Sequence, residues 1–161
     1  MMKNETEATM TFKLEVQGFA DLGFIPKPNT CEGEDRSPAM HWSGVPQGTH
    51  SLALIVDDPD AFSGTWNLWL HRDLSSDLHA LPEGVKPGSP GACRTNDFGK
   101  LGCGGPCRPK GHGPHPYYFK LFAVDVPHLG LATGAWRSAL DCELSKHTMA
   151  EARYSGKNEK K

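Results

Sequence analysis

The chain lacks the long apolar stretches that membrane-spanning proteins need. No segment of its 161 residues approaches the roughly 18 consecutive apolar residues that a transmembrane helix requires. The opening MMKNETEATM has no apolar core, so we expect a disordered leader over residues 1–11 and no signal peptide. The remaining length suits one domain, which we place at residues 12–156, with a frayed tail over residues 157–161.

The chain also lacks an excess of charge and a regular cysteine pattern. Lysine and arginine total 17 against 19 aspartates and glutamates, and no basic tract offers a surface for a nucleic-acid backbone. The five cysteines are odd in number and show no repeated spacing, so a disulfide framework is not expected. We therefore predict a reducing, cytoplasmic compartment in which most thiols are small core residues.

Helical periodicity is scarce, whereas patterns typical of strands recur along the chain. TFKLEVQGF alternates, with Phe12, Leu14 and Val16 on one face, which predicts a half-buried strand. SLALIVDD is a short apolar run followed by two acids. It predicts a central strand whose far end carries Asp57 and Asp58.

Two further segments predict strands. TWNLWLHRDL is expected to place Trp66, Leu68 and Leu70 on one face, because side chains alternate along a strand. YYFKLFAVDV is the most strand-like stretch of all. The other three tryptophans are expected in the core, as large apolar residues: Trp42, Trp69 and Trp136.

One segment alone has a clear helical pattern. TGAWRSALDCELSK offers Thr133 as the N-cap and apolar residues four apart at Trp136, Leu140 and Leu144. The next stretch, TMAEARYSG, fits either a helix or a strand. Because strands dominate, the expected fold is an antiparallel β-sandwich with a short helical element near the C-terminus.

The segment GGPCRPKGHGPHPYYFKLFAV, residues 104–124, changes abruptly from glycine, proline and histidine to an apolar strand. The cysteines and histidines in and beside this segment are compatible with a metal site. Cys103, Cys107, His112 and His115 are spaced C-x3-C-x4-H-x2-H, and these are the ligand types of tetrahedral zinc. Prolines stiffen every interval between them, however, and structural zinc sites usually pair ligands across tight knuckles on separate elements.

A second interpretation of the loop is catalytic. Cys107 could act as a nucleophile with His115 as its base, since a neighbouring histidine can activate a thiol. No signature of such an enzyme surrounds either residue.

A third interpretation is a preformed anion pocket. Glycines allow backbone N–H groups to turn toward a ligand, and prolines reduce the entropy lost when the ligand binds. His115 at the end of the loop would add a donor that can carry charge. The alternative is a stiff connection in which His112 and His115 only cap backbone groups.

Several segments together resemble the bacterial and archaeal branch of the phosphatidylethanolamine-binding proteins, also called Raf kinase inhibitor-like proteins. They are FADLGFIPK, CEGEDRSPAMHWSGVPQGTHSLALIVDDPDAFSGT, LPEGV, TNDFGKLGCGGPCRPKGHGPHPYYFKLFAVD and LGLATGA. The resemblance covers roughly residues 12–155. It implies a β-sandwich with Greek-key connections, and it makes TMAEARYSG the last strand.

The resemblance implies a binding protein and not an enzyme, with no cofactor. The expected ligand is a small anionic or phosphorylated group of the phospholipid-headgroup kind, held in one shallow pocket. A kinase or protease partner and a homodimer are compatible with the family, and a protein-interaction module without a small ligand is the alternative function. The matching pocket residues are Asp58, Trp66, Gly105, Cys107, His115 and Tyr117.

Three more residues receive supporting roles from the resemblance. His112 belongs to the bacterial form of the loop motif and is expected to support the loop. Asp60 and Asp97 are expected to be structural, each bonding backbone N–H groups within its own turn.

The chain departs from the family pattern at five positions. Leu68 stands where relatives have a second pocket histidine, and Phe62 stands where a proline follows DPDA. Cys103 replaces a tyrosine, Arg108 a proline and Pro116 an arginine. Leucine offers no hydrogen bond, so the resemblance implies weak binding of phosphate monoesters unless Arg108 supplies the missing donor.

We predict that Cys103 and Cys107 are not joined by a disulfide in the cell. Pro106 and two glycines lie between them, and the expected compartment is reducing. Free-thiol titration of protein purified without oxidation should detect both cysteines. If neither reacts, a disulfide or a bound metal must be reconsidered.

Overall fold

A computed structural model describes most of the chain. The described residues are 11–30, 33, 36–59, 65–85, 92–93 (backbone only), 115–131 and 135–158. Within them the backbone forms nine strands and one α-helix. The strands are β1 (Lys13–Val16), β2 (Gly23–Phe24), β3 (Met40–Ser43), β4 (Ser51–Asp58), β5 (Trp66–Ser75), β6 (Ala80–Leu81), β7 (Ala92–Cys93), β8 (His115–Val124) and β9 (Thr148–Asn158). The helix is α1 (Arg137–His147), and a short 3-10 turn spans Lys27–Asn29.

The strands form two sheets. One has three strands in the order β1-β3-β6, and the other has six in the order β2-β9-β8-β4-β5-β7. All pairs are antiparallel except the two-residue pairing of β2 with β9. The order β8-β4-β5-β7 is that of a Greek key, because β8 returns to lie beside β4. The predicted fold class, a β-sandwich with a short helical element near the C-terminus, is confirmed.

The main core lies between the two sheets. The alternation of TFKLEVQGF correctly predicts β1, since Leu14 and Val16 are buried on the side that faces the larger sheet. Phe12 precedes the strand and packs against the same cluster while only partly buried. Trp42 and Trp69 are buried there, as predicted.

Strand β4 is buried along its whole length. Leu52, Leu54 and Val56 contribute to the core between the sheets, whereas Ala53 and Ile55 contribute to a second cluster on the opposite face. A strand that is covered on both faces needs apolar residues at consecutive positions. This explains why SLALIV is an unbroken apolar run and confirms the predicted central strand.

Helix α1 covers the second cluster. Leu140 and Leu144 pack there together with Ile55 and Val124, which agrees with the predicted apolar stripe. The prediction for Trp136 is wrong: its side chain is 72% exposed. It occupies the N-cap position in extended backbone, so the helical spacing does not extend to it. The predicted N-cap, Thr133, is also wrong, because the helix begins at Arg137 with Trp136 as its N-cap; Thr133 itself lies outside the described residues.

Two further findings concern the predicted thiols and the search for membrane-spanning helices. Cys142, the one cysteine whose side chain is described, is exposed and carries a free thiol, so it is not one of the thiols predicted for the core. Among the residues described, no helix combines the length and apolarity needed to cross a membrane.

A β-bulge changes the faces that were predicted for β5. Val56 pairs with Trp69 and Asp57 with Asn67, so Leu68 is an extra residue between them. Leu68 and Trp69 consequently both belong to the main core, while Leu70 faces the second cluster. The predicted strand is confirmed. The prediction that Trp66, Leu68 and Leu70 share one face is wrong, because a bulge breaks the two-residue period.

Strand β9 extends further than the predicted domain. The ambiguous TMAEARYSG lies within it, as the family resemblance implied. Lys157 and Asn158 pair with Pro116 and His115 of β8, so the boundary at residue 156 was two residues short.

Two glycines with the same backbone conformation provide a test of packing near β1. Gly44 and Gly130 have φ values of +73° and +74°, but only at Gly44 would a Cβ meet backbone, 2.0 Å from the carbonyl oxygen of Thr11. We expect Gly130→Ala to lower the free energy of unfolding by about 1–2 kcal/mol from left-handed strain alone. Gly44→Ala should cost a further ~1–3 kcal/mol from overpacking. Urea denaturation measures both, and equal losses would show that Thr11 moves aside freely.

Candidate functional site

Three of the predicted site residues lie at strand ends. Asp58 is the last residue of β4, Trp66 the first of β5 and His115 the first of β8. Strand β4 runs antiparallel to both of its neighbours, so its C-terminal end meets the N-terminal ends of β5 and β8. The topology therefore brings residues from distant parts of the chain to one end of the six-stranded sheet.

Asp58 and His115 are joined by a side-chain hydrogen bond. The distance between His115 Nδ1 and Asp58 Oδ2 is 2.7 Å. The aspartate side chain is 4% exposed and the histidine side chain 18%, so the carboxylate lies behind the imidazole. An ionised carboxylate only accepts hydrogen bonds, so Nδ1 is the donor and Nε2 is the ring nitrogen left for other partners.

Tyr117 and Trp66 border the pair. Strand periodicity puts Tyr117 on the same face as His115, where it is buried in the main core. Trp66 is directly opposite Asp58 in the pairing of β4 with β5, and it packs, partly buried, against the same core. The result is an acid–base pair with an aromatic residue on either side.

Comparison with known proteins assigns the chain to a family. A sequence profile described as "Phosphatidylethanolamine-binding protein" matches residues 15–159. The chain belongs to the phosphatidylethanolamine-binding protein family.

Individual relatives support this assignment. A UPF0098 protein of Aquifex aeolicus is 44% identical over 141 residues, which is 82% of this chain and 79% of the relative. The structure of the homologue CT736 from Chlamydia trachomatis has a TM-score of 0.86 at 32% identity, covering 95% of this chain and all of that one. The structure of Escherichia coli YbcL, titled a new member of the mammalian family, has a TM-score of 0.85 at 29% identity and covers 93% and 99% of the two chains.

The remaining predicted residues lie outside the described part of the chain. Gly105 and Cys107 of the glycine- and proline-rich loop belong to this group, as do His112, Asp60 and Asp97. Three of the four residues in the zinc hypothesis, Cys103, Cys107 and His112, also lie outside the described residues. Among the described residues, no group of three or more histidine, cysteine or acidic side chains could hold a metal ion.

Leu68, at the position where the family resemblance implied a second pocket histidine, is a core residue. Its side chain is 1% exposed and belongs to the main cluster, at the bulge beside Val56 and Asp57. A histidine at this position would be buried among apolar groups, where an unsatisfied polar side chain is unfavourable. Replacing Leu68 is therefore a poor way to restore a donor to the site.

Asp57 belongs to a different cluster from its neighbour. Because side chains alternate, it points to the opposite face of the sheet from Asp58. Its Oδ2 accepts hydrogen bonds from Lys120 Nζ at 3.2 Å and from Arg137 Nη1 at 2.9 Å. Arg137 Nη1 also donates to Asn67 Oδ1 at 2.7 Å. The cluster joins the first residue of α1 to the end of β4.

The charge on Arg137 is stabilised by its acidic neighbours. Burial of the guanidinium lowers its pKa as the largest single effect, but hydrogen bonds and charge attraction from Asp141 and Asp57 together outweigh it, so the pKa is raised. Arg137 Nε donates to Asp141 Oδ1 at 2.8 Å, one helical turn away. The strand pattern identified Asp57 as a strand end, but it gave no indication of this partner 80 positions later.

Asn158 is a residue that sequence analysis missed. It is directly opposite His115 in the pairing of β8 with β9, and the residue is 6% exposed. A signal was present, because Ala152, Tyr154, Gly156 and Asn158 continue one two-residue alternation. The chain was assigned to a tail at residue 157, so this alternation was not followed to its end.

Arg137 of helix α1 should matter far more for stability than an exposed arginine of the six-stranded sheet. We expect Arg137→Ala to lower the free energy of unfolding by about 2–4 kcal/mol, because among the described residues the buried Asp57 carboxylate would keep only Lys120 as a charged partner. Arg153, which is 60% exposed and pairs with Glu151, is the matched control. Arg153→Ala should cost less than ~1 kcal/mol. Equal losses in chemical denaturation would show that the Asp57 cluster does not anchor α1.

Proposed function

We propose that this protein binds a small anionic or phosphorylated ligand, of the phospholipid-headgroup kind, at the Asp58–His115 end of the six-stranded sheet. The observation that carries the proposal is the 2.7 Å contact between His115 Nδ1 and a carboxylate that lies behind it. Because Nδ1 is bonded to Asp58, Nε2 is the ring nitrogen left for a ligand. A protonated imidazole fixed in this way directs one N–H and one positive charge toward a bound anion.

Asp58 has a supporting role in this proposal. A carboxylate facing an anion would repel it, so Asp58 would have to meet a ligand ammonium group or orient a histidine. Its low exposure and its bond to His115 favour orientation of the imidazole. A buried, hydrogen-bonded partner also holds the imidazole ring in one direction, which reduces the entropy lost when a ligand binds.

The rest of the pocket is proposed from the family resemblance. Trp66 and Tyr117 would form its aromatic sides, and Gly105 and Cys107 of the loop would supply a wall rich in backbone donors. The family match supports a binding protein and not an enzyme. We further propose a cytoplasmic location, on the grounds of the irregular cysteine pattern.

The proposal predicts that anion affinity falls as pH rises. Sulfate is the appropriate probe, because its charge stays constant while that of phosphate changes in the same range. Between about pH 5 and about pH 8, loss of the proton from His115 removes both the positive charge and the Nε2 donor. We expect sulfate affinity, measured by titration calorimetry, to fall about tenfold or more over this interval.

Two variants separate a local effect from a general effect of charge. His115→Gln retains a neutral donor, so its affinity should be weaker and independent of pH. His128→Gln removes an exposed histidine beyond the opposite end of β8 and should preserve the pH dependence of the native protein. If His115→Gln and the native protein share one pH profile, His115 is not the group that binds the anion.

A further inference from the structure

The Asn158 amide is a buried polar group without a partner at the proposed site. Its Nδ2 is one of four buried side-chain atoms in the described residues that have no hydrogen-bond partner. The others belong to Asp57, Trp69 and Thr148. Native proteins satisfy nearly all buried polar atoms, so each exception requires a physical explanation. Asn158 is the one of the four that pairs directly with His115.

The sheet geometry places the two side chains next to each other. Residues that are directly opposite on neighbouring strands point to the same face, with Cβ atoms about 4.5–5.5 Å apart. On β9 this face is the inner one, because Ala152 and Tyr154 belong to the main core and a Cβ on Gly156 would meet Phe19 and Ile25. The inner face at this end of the sheet therefore presents Asn158, His115 and Asp58 on three adjacent strands.

We propose that Asn158 is a second ligand-binding donor, whose Nδ2 hydrogen-bonds an oxygen of the oxyanion that His115 Nε2 also binds. This inference rests on the proposed function and adds a specificity-determining residue to the same site. An amide donates without carrying charge and does not titrate. The two donors would then bind two oxygens of one sulfate, phosphate or carboxylate group.

The proposed role of Asn158 compensates for Leu68, one of the departures from the family pattern. Leu68 replaces a histidine that would have been a second donor, and it is packed in the core. Asn158 provides a donor from the other side of His115, on a strand that sequence analysis had ended too early. Arg108 was the donor suggested earlier for this role, and it lies outside the described residues.

The test separates a ligand donor from a structural residue by measuring affinity and stability in the same variants. Asn158→Leu keeps the number and branching of the side-chain heavy atoms and removes the polar ones. We expect sulfate affinity to fall about tenfold or more, because a hydrogen bond to a charged group is lost. The melting temperature without ligand should stay constant or rise, because a buried donor that lacked a partner is gone.

A second variant tests whether the side chain at position 158 donates or accepts the hydrogen bond to the ligand. Asn158→Asp is nearly isosteric but presents only acceptors and a negative charge, so it should weaken sulfate binding at least as much as Asn158→Leu. Lys157→Gln is the matched control, because it lowers the net charge by the same amount on the opposite face of β9. We expect Lys157→Gln to change sulfate affinity by less than about threefold.

Phosphoethanolamine, measured beside sulfate, identifies which part of a headgroup Asn158 contacts. Equal weakening of both probes by Asn158→Leu supports the proposed contact with the oxyanion. Weakening of phosphoethanolamine alone, or tighter binding of it by Asn158→Asp, would overturn the proposal, since the amide would then contact the ammonium end.

The remaining outcomes distinguish the two proposals. If Asn158→Leu binds sulfate normally while His115→Gln does not, the anion site stands and the role of Asn158 is refuted. If Asn158→Leu loses stability but keeps its affinity, the amide is a structural group satisfied by water. If the native protein binds neither probe at any pH between about 5 and 8, the proposed function fails, and with it the inference that rests on it.

Discussion

Strand β4 is covered on both faces, and the two aspartates that end it must each find a partner for a buried charge. Consecutive residues point to opposite faces, so the two carboxylates cannot share one environment. Asp57 is directed to the helix side, where Arg137 and Lys120 neutralise it. Asp58 is directed to the sandwich side, where it pairs with His115. The attachment of the helix and the geometry of the candidate site both follow from this constraint.

The two pairs differ in what they leave available. On the helix side, one carboxylate oxygen receives bonds from two cationic groups, and the arrangement is a structural anchor between α1 and the sheet. On the sandwich side a titratable imidazole is the cationic partner, and its side chain is more exposed than the carboxylate. A histidine can change its charge near neutral pH, whereas an arginine cannot. This difference explains why the proposed binding site is on the sandwich side.

The antiparallel arrangement supplies the rest of the site. Neighbouring antiparallel strands run in opposite directions, so the start of one lies beside the end of the next. At this end of the sheet, β5 and β8 each contribute their first residue and β9 contributes its last. The bulge at Leu68 lies beside Asp57 and Asp58 and changes the faces of the residues that follow. Bulges are frequent next to binding sites, because they redirect side chains without interrupting the sheet.

Local patterns in the sequence were sufficient for β1, β4, β5 and β8 and for part of the site. The alternation in β1, the unbroken apolar run of β4 and the leucine spacing of α1 reflect periods set by backbone geometry, so each could be predicted from a short window. The family resemblance added the Greek-key connections, the last strand and the expectation that Asp58, Trp66, His115 and Tyr117 belong together. Only the tertiary structure decided that Leu70 leaves the face of Leu68, that Trp136 is exposed, and that Asp57 meets Arg137. Bulges, helix starts and long-range ion pairs depend on how separate elements pair and pack, and so does the position of Asn158 opposite His115.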